Sequence, residues 1–363
     1  MSLGRSKKQQ RSMWISYDQL PQSKGHVFYE RLQKTLLQEG FDTFVENLCA
    51  PFYAEKLGRR SIPPGRYFRM LLIGYFEGID SERGICWRCS DSLSLREFLG
   101  LAPTEAVPDH SSLCRIRQRL PLENHHELFV FVLKILHQAH LLEGKYLGID
   151  VSSMEANAAM KSIGRRDTGE GYEEMLFRLA EESGIQTPTR AELVNFDRKR
   201  KGKKTSNKDW QSTTDEEARI AKLKDGRTHM ACKPEHVVDL ESGAIVTAVV
   251  HAADQGDTTT ISSTLEDAQA KLCAVKDRQD VSTIDEPFDL VADKGYHSRE
   301  VLKHLPKSCC SRISEQQRKG RLRWHGDTQA RDAVYGNRAR LKSEKSASSA
   351  EFVGSSLKNS PRT

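Results

Sequence analysis

The sequence predicts two parts, an all-α N-terminal domain followed by an α/β domain, and three observations carry that division. Over residues 27–141 apolar side chains recur at helical spacing. At Tyr146 the pattern changes to short apolar runs that end in an acid, at residues 146–151 and again at 288–293. Between these runs lie two strand signals, residues 228–238 and 244–251, joined by Asp239-Leu240-Glu241-Ser242-Gly243, a hairpin turn by its chemistry. Strands followed by helices give an α/β domain. The expected boundaries are a loose segment at 1–24, the helical domain at 25–142, the α/β domain at 143–345 with a polar insertion at 157–225, and a low-complexity coil at 346–363.

Each element has its own warrant. Pro63-Pro64-Gly65 is a helix-start signal ahead of RYFRMLLIGYF, residues 66–76. Residues 94–99 form a short amphipathic piece. Pro108-Asp109-His110-Ser111 is a turn whose Asp or Ser can cap the next helix, SLCRIRQRL, and Pro121 ends it. Residues 128–142 read as a further helix, apolar over most of its surface. Within the polar insertion, residues 198–208 hold seven basic side chains and no acid, as in a flexible loop able to track DNA. A helix over 258–275 follows the hairpin.

Composition narrows the class. The 363 residues are 37% hydrophobic and 29% charged, with a mean hydropathy of −0.61. No run approaches the ~18 apolar residues that a spanning helix needs, so no membrane partner is expected. The N-terminus, MSLGRSKKQQRSMW, lacks the apolar core of an export signal, and the eight cysteines form no framework, which points to the cytoplasm. Cys86-Trp87-Arg88-Cys89 is a lone C-x-x-C without the second pair that zinc requires. The net charge is +6, yet residues 294–363 carry 16 Lys and Arg against 6 Asp and Glu. That basic region reads equally as a nucleic-acid footprint or as a solvated tail.

The informative residues are Asp150 and Asp293, each near the C-terminal end of an apolar strand, where α/β sheets place functional groups. Alone, either reads first as the cap of a turn. Together they read equally as turn caps or as a carboxylate pair able to hold two Mg²⁺ ions about 3.5–4 Å apart.

The motifs around them resemble a known family. Asp293-Lys294-Gly295-Tyr296-His297-Ser298 after LVA looks like the second-aspartate motif of bacterial insertion-sequence transposases of the D-D-E type, and GIDVSSMEANA, with Asp150, resembles the first. DGRTH, EHVVDLESGAIV and ADQGDTTT are similar to the linking strands. FRMLLIGYFEGIDSERGICWRCSDSLSLREFLGL and VPDHSSLCRIRQRL resemble the helical domain of the insertion-sequence-five-like branch. The resemblance spans residues 15–345. It implies an RNase H-like catalytic core at 143–345, with a mixed sheet and flanking helices, behind a helical DNA-binding domain. It also implies cleavage at transposon ends and joining to target DNA, with Asp150 and Asp293 as catalytic residues and ligands of Mg²⁺ or Mn²⁺. The partners it implies are terminal inverted repeats, target DNA and further copies of the chain on DNA in the bacterial nucleoid. Candidate DNA contacts are Arg115, Arg117, Arg119, Lys294, His297 and Arg338, with Tyr296 as a further phosphate contact.

One departure stands out. The family's third carboxylate is expected at the position of Gly354, within Glu351-Phe352-Val353-Gly354-Ser355-Ser356. Reading two nucleotides later permits a family-like motif there, so a frameshift near codon 345 or a truncation is expected, with impaired activity. Glu344 and Glu351 are the substitutes on offer. The alternative is a non-catalytic remnant that occupies transposon ends.

Overall fold

The computed structural model describes residues 26–54, 61–102, 104–200, 206–276, 287–305, 309–314 and 324–342. The loose segment at 1–24 and the coil at 346–363 lie outside them. The chain divides into two compact units between Val132 and Leu133.

The described part of the N-terminal unit is wholly helical. It comprises α1 (Val27–Gln38), α2 (Phe41–Cys49), α3 (Pro64–Glu77), α4 (Glu82–Ser90), α5 (Leu93–Phe98), α6 (His110–Arg119) and the start of α7 (Leu122–Gln138). α7 starts six residues before the expected position, directly after Pro121, because the ring ends one helix and opens the next. Ser81, Ser92 and Asp109 cap α4, α5 and α6 with side-chain oxygens, each a contribution of about 1 kcal/mol. The core is Phe41, Val45, Tyr67, Met70, Ile73, Leu95 and Leu113, all at most 1% exposed. Arg69 is buried among them and is matched by a two-pronged pair with Asp42, at 2.6 and 2.9 Å. The Phe41 ring lies 5.1 Å from its guanidinium.

The second unit is built on a sheet. Its strands are β1 (Tyr146–Val151), β2 (Met154–Glu155), β3 (Ile163–Arg165), β4 (Trp210–Ser212), β5 (Arg219–Lys222), β6 (Thr228–Asp239), β7 (Ile245–Ala252), β8 (Phe288–Ala292) and β9 (Cys309–Ile313). Its helices are α8 (Tyr172–Glu182), α9 (Arg190–Lys199), α10 (Asp257–Val275), α11 (Arg299–His304) and α12 (Thr328–Leu341). The main sheet runs β7-β6-β1-β8-β9; β7, β6 and β1 are antiparallel, and β8 and β9 run parallel to β1. β2 and β5 pair with the beginning of β6. Three antiparallel strands followed by two parallel ones, with α10 and α11 as the connections, is the RNase H-like arrangement. Alternate residues of β6 from Lys233 to Asp239 are buried, and the hydroxyls of Thr260 and Thr264 on α10 reach Glu235 from that side.

The insertion is more ordered than its polarity suggests. β3 pairs with β4, and α8 and α9 pack a small core of Ile163, Met175, Leu176, Leu193 and Trp210, with Met230 from β6. The basic run is divided: residues 198 and 199 finish α9, residues 201–205 lie outside the described residues, and Asn207 clasps both main-chain groups of Ile220. In its described part the run is a helix end and a braced turn rather than a free loop.

Candidate active site

β1 and β8 are hydrogen-bonded neighbours in parallel register, with Gly148 opposite Val291 and Ile149 opposite Ala292. The next residue on each chain is Asp150 and Asp293. Side chains alternate across a strand, so this register sends both carboxylates from the same end and the same face of the sheet. Gly148, two residues before Asp150, carries no side chain because Leu240 lies on it; a Cβ there would sit 2.7 Å from Leu240 Cδ2.

Asp150 is half-buried, and its carboxyl is pushed above the usual range. Burial is the main cause. The Val151 N–H, donating to Oδ1 at 2.8 Å, works against it, and the charge of Asp293 adds to it. Lys224 and His236 pull the other way; His236 is the cross-strand partner of Asp150 on β6, and burial pushes its own imidazole down. Asp293 is exposed and caps the short turn Lys294–Tyr296, accepting from the Lys294 N–H at 2.5 Å. Among the described residues no side chain hydrogen-bonds or ion-pairs with either carboxylate. Carboxylates at two neighbouring strand ends are hard-oxygen groups of the kind divalent ions take.

Among the described residues no group of three His, Cys, Asp or Glu side chains is placed to hold a metal ion. Gly354, Glu344 and Glu351, on which the third carboxylate turns, lie outside the described residues. Cys86 and Cys89 sit on α4, and burial pushes their thiols up to about 11 and about 12.

The other candidates separate. Lys294, exposed, and His297 flank the Asp293 turn. Tyr296 does not face solvent: it is 1% exposed and its hydroxyl donates to Glu235 at 2.8 Å, so it is a buried anchor and not a phosphate contact. Arg338 lies on α12 against the Tyr335 ring, on a helix that packs on the outer strand β9. Arg115, Arg117 and Arg119 project from α6 in the helical unit. Arg115 and Arg119 line one groove with Arg66 and Ser111, whereas Arg117 is ion-paired with Glu82. His236 and Glu235 escaped the sequence reading, since both stand in a strand whose alternation looked ordinary.

Residues 16–119 match the model of a family described as a transposase domain (DUF772), and residues 187–350 match that of a transposase DDE domain. The second match includes Asp293 and begins after Asp150. No curated protein and no solved structure matches the chain.

Proposed function

The chain is a member of the insertion-sequence transposases of the DDE type, and from that premise we propose that its α/β unit cuts phosphodiester bonds at insertion-sequence ends and joins them to target DNA. One observation carries the reading: Asp150 and Asp293 follow register-matched positions on adjacent parallel strands. In this reading both carboxylates would hold Mg²⁺ or Mn²⁺, which would supply Lewis-acid chemistry to phosphodiester cleavage. The protein's part is orientation. The Val151 and Lys294 amides each fix one carboxylate oxygen, leaving the other free to turn to the ion. Lys294, exposed beside the pair, is suited to the scissile phosphate, whereas the His297 Nε2 is buried; Arg115 and Arg119 are suited to the DNA backbone in the helical unit. Action on two ends at once favours several copies on DNA, in the nucleoid.

A second reading rests on the sequence, which has Gly354 where the family's third carboxylate is expected. In it the chain occupies transposon ends without cutting. The two are separated by nicking and strand-transfer assays on the element's own ends in Mg²⁺ and in Mn²⁺. Cleavage that falls by 10²-fold or more in Asp150→Asn and Asp293→Asn supports the enzyme, about the loss expected when reacting atoms move ~1 Å. Cleavage indifferent to Asp150→Asn sinks the site assignment. Binding without nicking supports the remnant. Activity lost in Glu351→Ala or Glu344→Ala identifies the third carboxylate and ends the truncation argument.

A further inference from the structure

Glu235 is 0% exposed, on β6, at the register position opposite Val151. A buried carboxylate is costly unless donors surround it. Here Tyr296 donates at 2.8 Å, Thr260 at 3.0 Å and Thr264 at close range, with the His251 imidazole 3.5 Å away. No Lys or Arg is bonded to it among the described residues. The nearby buried Lys233 is engaged by Asp257 at 2.7 Å and by the Gln255 carbonyl. Thr260 and Thr264 fasten Glu235 to α10. Tyr296 differs: it belongs to the turn that begins at Asp293. The same turn touches α10 at a second point, since a Cβ on Gly295 would lie 2.4 Å from Asp257 Oδ2.

We propose that Glu235 is a positioning residue that acts through the Tyr296 hydroxyl, holding the turn that presents Asp293 to Asp150. The inference builds on the metal-site reading of that pair. It explains why a carboxylate without a bonded cation is kept inside the unit. It also explains why the turn has glycine at 295 and a buried phenol at 296, where exposed polar residues would serve a plain loop.

The test compares Tyr296→Phe with Thr264→Val in the full chain. Each removes one hydroxyl donor from Glu235, but only the first unties the turn. Two readouts are taken below the melting range: amide hydrogen exchange, and Mn²⁺ affinity by paramagnetic resonance of the free ion. The Lys294, Tyr296 and His297 amides are all hydrogen-bonded within the turn, so their exchange reports its opening. Tyr296→Phe should speed their exchange and weaken Mn²⁺ binding, each by about tenfold, the worth of one hydrogen bond to a charged group. Thr264→Val should lower the melting temperature while leaving both readouts near the parent's. Equal effects of the two variants, or unchanged exchange in Tyr296→Phe, overturn the proposal. Should the parent bind Mn²⁺ no better than Asp150→Asn, the metal-site reading fails, and the exchange readout still decides whether Glu235 holds the turn.

Discussion

Asp150 is a residue whose charge the surrounding fold resists. Burial, and then the neighbouring Asp293, hold its carboxyl above the ordinary Asp range despite the Val151 amide. A folded-state value above the unfolded one means that the native chain grips the proton more tightly. Its contribution to stability is therefore complete below the ordinary Asp value, about 3.9, and is lost as pH rises through the folded-state value. Asp150→Asn should thus melt higher than the parent at pH 7, and the difference should vanish near pH 3. Calorimetry across that range checks it, and a parent that melts higher at pH 7 contradicts it. Mn²⁺ should reverse the order, because an ion bound to the native state stabilises the parent alone. The strand ends at Asp150 and Asp293 were legible as apolar runs that stop at an acid, but only the family resemblance set them apart from turn caps. Glu235 was not, because Lys233-Pro234-Glu235-His236 reads as polar strand surface, and its burial is made by Thr260, Thr264 and Tyr296 from other elements.

At the scale of elements, α6 shows what spacing alone conveys. Arginines at every second position fan around a helix, and the structure divides them. Arg115 and Arg119, one turn apart, share a groove of about 790 Å³ with Arg66, while Arg117 turns to Glu82. Arg115→Ala and Arg119→Ala should each lower the slope of log affinity against log salt by about one and weaken binding to all sequences alike. Arg117→Ala should leave that slope nearly unchanged. Filter-binding titrations at several salt concentrations decide it, and a larger change from Arg117→Ala would reverse the assignment. The α3 start is just as specific. A Cβ on Gly65 would lie 2.0 Å from Asp42 Oδ1, so Gly65→Ala should break the Asp42–Arg69 pair and leave a buried guanidinium unmatched. The expected loss is about 2–4 kcal/mol, read by denaturant titration of the helical unit. Helices α3, α5, α6 and α10 were legible from caps and periodicity. The core of the insertion was not, because its few apolar residues lie far apart in a polar sequence and meet only when α8, α9 and β4 fold together.

At the scale of the whole molecule, the two units differ in how far apart in sequence their contacts lie. Most helix pairs of the N-terminal unit are neighbours in sequence, α1 with α5 and α4 with α6 excepted, whereas the centre of the sheet joins residues 147–151 to residues 235–239. Local contacts form faster than distant ones. Pulsed hydrogen exchange during refolding should therefore protect peptides from α1 to α6 before those from β1 and β6. Simultaneous protection would show that the units fold as one. The same topology matters during synthesis. β1 is made first, yet its partner β6 follows only after the 76 residues from 152 to 227. At ~5–20 residues per second, the nascent β1 spends about 4–15 s with Leu147 and Ile149 unpaired. Until then the strand that carries Asp150 is an unfinished edge, which a chaperone or a neighbouring nascent chain can reach before β6 does.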